Sequence, residues 1–250
     1  MGASAALIEV HDLTRTFGGV RALDRVTLAV RAGERRAVIG PNGAGKTTLF
    51  NVLTGELSPT AGSVRLAGRD ITRATTWQRA RWGLARMYQR NELFAPLSAR
   101  ENVALAVASR AGPYRLFGSS GAESKMADEL LAKVGLAGRE SSAARALSHG
   151  ERRQLELAVS LAQGPEVLLL DEPTAGMSPA ETARITELIA SLDRALTILI
   201  VEHDMDVVFR LADRISVLHE GRVIADGAPG QIRGDVRVNE VYLGKAVTVG

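Results

Sequence analysis

The 250-residue chain contains no cysteine, which removes disulfides, thiolate metal sites and thiol nucleophiles together. Long apolar runs are also missing. No window approaches the stretch of about 18 apolar residues that spans a bilayer, the best being residues 167–170 and 196–201, so the chain is not expected to cross a membrane by itself. Residues 1–10 carry neither a basic start nor a long apolar segment, and a cytoplasmic location is expected. Charge of one sign is lacking too: 31 basic residues against 28 acidic ones leave a net charge of +3. Arginines are scattered among Asp and Glu instead of forming a basic stripe, which argues against nucleic acid as a partner. Lysine is scarce, with 4 among the 31 basic residues, so Lys46 stands out.

What is present is ordinary globular composition, 46% hydrophobic and 24% charged, which excludes disorder and collagen. Short strands are predicted at residues 7–10, 26–30, 36–39 and 63–66, with a helix from about Gly45 to Thr54 that Gly55 ends. From about residue 91 to 147 the pattern turns helical, with helices at 99–110 and 123–134 separated by a Gly-, Pro- and Ser-rich loop. Helices at 151–163, 179–192 and 205–212 then alternate with strands at 167–170, 197–201 and 214–218. Alternation of this kind implies an α/β core with a mainly parallel sheet, into which the helical stretch is inserted.

The strongest motif is Gly40-Pro41-Asn42-Gly43-Ala44-Gly45-Lys46-Thr47, a complete G-x-x-x-x-G-K-[ST] between a predicted strand and a predicted helix. Glycines let backbone N–H groups turn inward around phosphate oxygens, and the helix N-terminus adds its partial positive charge. Lys46 then reaches the β- and γ-phosphates, and Thr47 offers its hydroxyl to Mg²⁺. A second constellation is the apolar run Leu168-Leu169-Leu170 ending in Asp171 and Glu172. At the mouth of a parallel sheet Asp171 can hold Mg²⁺ while Glu172 faces the space beyond the γ-phosphate; read alone, the pair is equally a solvated strand end. Leu147-Ser148-His149-Gly150-Glu151 precedes a helix, and by itself Ser148 with Glu151 is an S-x-x-E capping box that Ser98/Glu101 and Ser178/Glu181 repeat.

Together these segments resemble the ABC ATPases, whose signature sequence is matched by residues 147–151. The resemblance implies a P-loop NTPase core with an N-terminal antiparallel β part and an inserted helical subdomain. It implies one ABC ATPase domain over residues 1–250, the helical insert being about 91–147. In that family an aromatic residue stacks on adenine, matched by Phe17, and the glutamine of the Q-loop, matched by Gln89, approaches Mg²⁺ and the attacking water. The switch histidine is matched by His203. Without the family, Phe17 reads as core, Gln89 as a solvated strand end and His203 as a satisfied polar residue. ATP is therefore expected at Phe17, at Gly40, Pro41, Asn42, Gly43, Ala44, Gly45, Lys46, Thr47 and Thr48, and, from a second subunit, at Ser148 and Gly150. Mg²⁺ is expected at Thr47, Gln89 and Asp171, and catalysis at Glu172, His203, Lys46 and Gln89.

Two departures stand out: His149 and Glu151 replace the usual glycine and glutamine of the signature, and Ser178 stands where the D-loop commonly has aspartate. Within the family, residues 18–23, 47–55, 91–94, 152–158, 171–179, 202–205 and 240–244 resemble the ATP-binding subunits of branched-chain amino-acid importers. That likeness implies a second ATPase subunit, either another copy or a sister chain, two transmembrane permease subunits, and indirectly a solute-binding protein, at the cytoplasmic face of the membrane. Importers of urea, amides or aromatic acids are the alternative cargo class. A soluble ABC ATPase acting on nucleic acid or ribosomes is the alternative of another kind, disfavoured because one cassette is present with no sustained heptad run.

Overall fold

The computed structural model describes residues 6–88, 93–110 and 121–243. In chain order the strands and helices begin with β1 (Ala6–Phe17), β2 (Val20–Arg31), β3 (Arg35–Ile39), α1 (Lys46–Thr54), β4 (Ala61–Leu66), β5 (Arg69–Asp70) and α2 (Thr76–Arg81). There follow β6 (Leu84–Met87), α3 (Ala99–Ser109), α4 (Gly121–Lys133), α5 (His149–Ala162), β7 (Val167–Asp171) and α6 (Pro179–Ser191). The chain ends with β8 (Thr197–Val201), α7 (Met205–Leu211), β9 (Arg214–His219), β10 (Arg222–Gly227), α8 (Pro229–Arg233) and α9 (Val236–Leu243). Two compact units emerge, one formed by residues 1–82 and 193–250 and the other by residues 83–192. Among the described residues no helix is long and apolar enough to cross a membrane.

In the first unit β1 lies between β2 and β4, antiparallel to both, and β5 extends the sheet from β4. β1 and β2 are each 12 residues long, much longer than the apolar alternation suggests. Register shifts between Val10 and Leu13 and left-handed backbone at Asp12 and Arg25 explain the difference, because each irregularity resets the two-residue period. The same unit pairs β3 in parallel with β8 and β9, while β10 closes the edge antiparallel to β9. Ala37, Ile39, Val208, Ile215, Val217, Ala225 and Ile232 form the core beneath these strands. Arg36 is buried in β3 and is tolerated there because Glu34, Asp226 and Ser216 accept its hydrogen bonds.

Helix α2 had no counterpart in the sequence reading, although Thr75 and Gln78 form the reciprocal capping box that signals a helix start. Its Arg79 is almost fully buried and donates to the Val52 and Leu53 carbonyls at 2.6 and 2.7 Å, and also to the Thr72 and Ala74 carbonyls. The guanidinium thus satisfies the last carbonyls of α1, where a cation also meets the negative end of the helix dipole. Burial nevertheless pulls the Arg79 guanidinium down to about 10.

The second unit pairs β6 in parallel with β7, Arg86 opposite Leu169. Every residue of β7 is buried, in keeping with its uninterrupted apolar run. Helix α5 is buried nearly all round, Arg153, Gln154, Leu155, Glu156, Leu157 and Ala158 in succession being buried together with Ser160 and Ala162. Helix α3 packs on both α4 and α5. The described part of residues 91–147 lies in this unit, which also carries β6, α5, β7 and α6.

Candidate functional site

The candidate residues occur in both units. In the first, buried β3 delivers the chain to Gly40 and α1 starts at Lys46. Only glycine fits at Gly40, since a Cβ there would stand 2.1 Å from the Leu218 carbonyl oxygen. Gly45 has a φ of 106°, and a Cβ would stand 2.4 Å from the Ala22 oxygen. Between them Asn42 and Gly43 are exposed, Pro41 is half-buried and Ala44 is buried. Lys46 folds back over the loop, its Nζ donating to Gly40 O at 2.6 Å and Pro41 O at 3.0 Å. Thr47 is exposed and Thr48 half-buried at the helix start.

Helix α1 has no side-chain cap on Gly45 and no acidic residue in its first turn. By contrast α2, α3, α5 and α6 all begin with a reciprocal capping box, and Asp204 caps α7. The uncapped start leaves backbone N–H groups and the positive end of the dipole for an anion, and Lys46 adds a full charge beside them. These residues fit a nucleotide's phosphates. Phe17 ends β1 with its ring 43% exposed and the Arg15 guanidinium 4.5 Å from its centroid, so it is a surface aromatic and not core. His203 is exposed just after β8, its backbone N–H donating to the buried Glu202 carboxylate at 3.0 Å.

In the second unit β7 ends at Asp171, whose Oδ2 accepts from Arg86 at 2.6 Å. Glu172 follows directly with a φ of 48°, a left-handed conformation that costs a non-glycine residue about 1–3 kcal/mol and commonly marks a functional position. Its carbonyl accepts from the Ala175 N–H at 3.1 Å, tightening the turn that leads to Ser178. Gln89 lies outside the described residues. Among the described residues no cluster of three or more His, Asp or Glu side chains could hold a metal by itself. A single carboxylate with a threonine hydroxyl and phosphate oxygens is the kind of donor set that suits Mg²⁺.

Ser148 caps α5: its Oγ accepts from the Glu151 N–H at 3.2 Å, and Glu151 Oε2 accepts from the Ser148 N–H at 2.8 Å. These bonds, with Arg139, hold the Glu151 carboxyl below the usual glutamate range. The structure then adds what the motif did not reveal. A His149 ring nitrogen lies 3.4 Å from the Ala175 carbonyl oxygen. Glu181, capped against Ser178, also lies beside Gly150, and its carboxyl is held low by the Ser178 bonds first and by the neighbouring Gly150 amide after them. A Cβ on Gly150 would stand 2.9 Å from Glu181 Oε1, so the glycine admits the carboxylate. Of the three positions that depart from the signature and D-loop patterns, His149 therefore ties α5 to the loop before α6, while Glu151 and Ser178 complete the capping boxes of α5 and α6. The Arg86–Asp171 pair was also missed. A charged residue between Ala85 and Met87 in a buried strand was the available signal of a buried partner.

Residues 23–175 match the ABC transporter family. The branched-chain amino-acid transport ATP-binding protein LivG of Salmonella typhimurium is 38% identical, over 97% of this chain and all of the relative. An ATP-binding cassette of an ABC transporter, solved in its ADP conformation, superposes with a TM-score of 0.87 at 28% identity, covering 97% of this chain and 100% of the other. A cassette solved as a dimer in a post-hydrolysis state with ADP and Pi gives 0.78 at 27% identity, over 89% and 98% of the two chains. With a P-loop start open to phosphate, an acidic pair ending a buried strand and these relatives, the chain belongs to the ABC transporter family, as an ATP-hydrolysing nucleotide-binding subunit.

Proposed function

We propose that the two units act as one ABC ATPase domain, with residues 91–147 as its helical insert, and that it powers uptake of branched-chain amino acids. The observation that carries the nucleotide reading is the uncapped start of α1 with Lys46 folded over Gly40 and Pro41. Phe17 supplies a face for adenine, and Gly40 to Thr48 cradle the phosphates. Thr47, Asp171 and Gln89 would hold Mg²⁺, which neutralises charge on the phosphate oxygens. Glu172 polarises the attacking water and takes its proton, while Lys46 and His203 steady the charge on the transferring phosphoryl group. Ser148 and Gly150 serve the nucleotide of a second ATPase subunit, a further copy or a sister chain. The ATPase pair docks on two transmembrane permease subunits at the cytoplasmic face of the membrane, and a solute-binding protein supplies the cargo.

LivG's role in branched-chain amino-acid transport and its match over 97% of this chain support the cargo class. The test is uptake of radiolabelled leucine, urea and benzoate by cells with and without the gene. Loss of leucine uptake alone is expected. Normal leucine uptake with impaired urea or benzoate uptake would overturn the cargo assignment.

A further inference from the structure

Arg86 is a buried cation that the hydrolytic reading does not use. Its side chain and that of Asp171 are only 6% and 5% exposed, and the Nη2 to Oδ2 distance is 2.6 Å. A buried ion pair is a poor source of net stability, because desolvating both charges offsets most of their attraction. Its value lies in fixing geometry, since a guanidinium holds a carboxylate in one orientation with a short, charge-assisted hydrogen bond.

Arg86 is itself held in place. Its guanidinium carbon lies 4.7 Å from the centroid of the Tyr88 ring, a cation–π distance. The Tyr88 carbonyl accepts from Arg153 at 3.0 Å, and Arg153 pairs at 2.9 Å with Glu156, both side chains being buried in α5. Burial raises the Glu156 carboxyl while Arg153 opposes it. The chain Asp171, Arg86, Tyr88, Arg153, Glu156 therefore runs from the end of β7 to the helix that Ser148 begins.

We infer that Arg86 is the positioning residue for Asp171, orienting the carboxylate that holds Mg²⁺, and that Tyr88 and the Arg153–Glu156 pair keep Arg86 in that orientation. This rests on the proposed role of Asp171. Arg86 donates to one carboxylate oxygen, Asp171 Oδ2.

The test is Mn²⁺ titration, followed by electron paramagnetic resonance, of the full chain carrying Glu172→Gln and saturated with ATP. ATP affinity in EDTA and thermal stability are measured alongside. Arg86→Gln is expected to weaken Mn²⁺ binding at least tenfold and leave ATP affinity in EDTA within twofold. Arg86→Lys, which keeps the charge but loses the planar fork, should lie between it and the parent. A lowered melting temperature with unchanged Mn²⁺ affinity would make Arg86 merely structural and overturn the inference. Should Arg86→Gln not fold, Arg86→Lys decides: about threefold weaker Mn²⁺ binding supports the inference, and parental affinity overturns it. Asp171→Asn separates the two readings. If it binds Mn²⁺ like the parent, the metal role of Asp171 fails; if it loses Mn²⁺ while Arg86→Gln keeps it, only the inference about Arg86 fails.

Discussion

Helix α1 starts on Gly45 with its first amides uncapped by any side chain, whereas α5 starts on Ser148 with a reciprocal capping box. Both helix starts are assigned to phosphate, yet among the described residues only the second carries a side-chain capping box. The start of α1 is preformed as an anion site within one chain. The start of α5 is already capped by the Ser148 hydroxyl and the Glu151 carboxylate, so a nucleotide there must share or displace bonds the chain makes to itself. An element that meets its ligand only when a partner arrives benefits from such internal capping, because unpaired amides would otherwise cost about 1–3 kcal/mol each once buried.

The ends of the helices invert the contrast. Helix α1 lacks a stabilising start but is gripped at its C-terminus by Arg79, while α5 closes on Gln163 without a basic residue in its last turn. Helix α1 is thus secured at the end opposite its Gly45 start.

The sharpest separation between binding and chemistry is expected from Glu172→Gln, which should lower ATP turnover by about 10³-fold with MgATP affinity retained. Lys46→Ala, at the start of α1, should instead weaken ATP binding about 100-fold. Isothermal titration and phosphate release measure both, and wild-type turnover in Glu172→Gln would show that another group activates the water.

Arg79→Met tests the grip on α1. Four carbonyls lose their buried donor, and denaturant unfolding should show a loss of about 3 kcal/mol. A loss below about 0.5 kcal/mol would mean that the freed carbonyls find water.

Ser148→Ala removes the α5 cap and should cost about 1 kcal/mol in the same assay without altering the affinity of a single chain for ATP. A smaller, pH-dependent effect belongs to Glu151. Its folded carboxyl is lowered, so it stabilises the fold above the ordinary glutamate value of about 4.3, and that contribution is lost as pH falls through the lowered folded value. Glu151→Gln should therefore flatten the acid limb of the melting-temperature profile below about pH 4.5. An unchanged acid limb would remove Glu151 from the cap's energetics.

The sequence was most informative where function demands a local pattern. Gly40 to Thr47, the run ending in Asp171 and Glu172, and the Ser148 cap each declare themselves within eight residues, because phosphate, metal and helix dipole act on adjacent backbone groups. Arg86 and Asp171 are 85 positions apart, and no local spacing reports their contact. His149 with Ala175, and Gly150 with Glu181, are likewise joined only by packing within the second unit. Irregular strands hid as well, since the bulges of β1 interrupt the alternation by which strands are read, and β10 declares itself only by pairing with β9.

Sedimentation velocity on Glu172→Gln, with and without saturating MgATP and with the sister ATPase supplied in a parallel series, tests the contrast between the two helix starts most directly. A monomer without nucleotide, a dimer with MgATP, and a Ser148→Arg version that binds one MgATP per chain yet stays monomeric are the expected results. A monomer at saturating MgATP in both series, or a Ser148→Arg version that dimerises normally, would contradict the assignment of α5 to a second subunit's nucleotide.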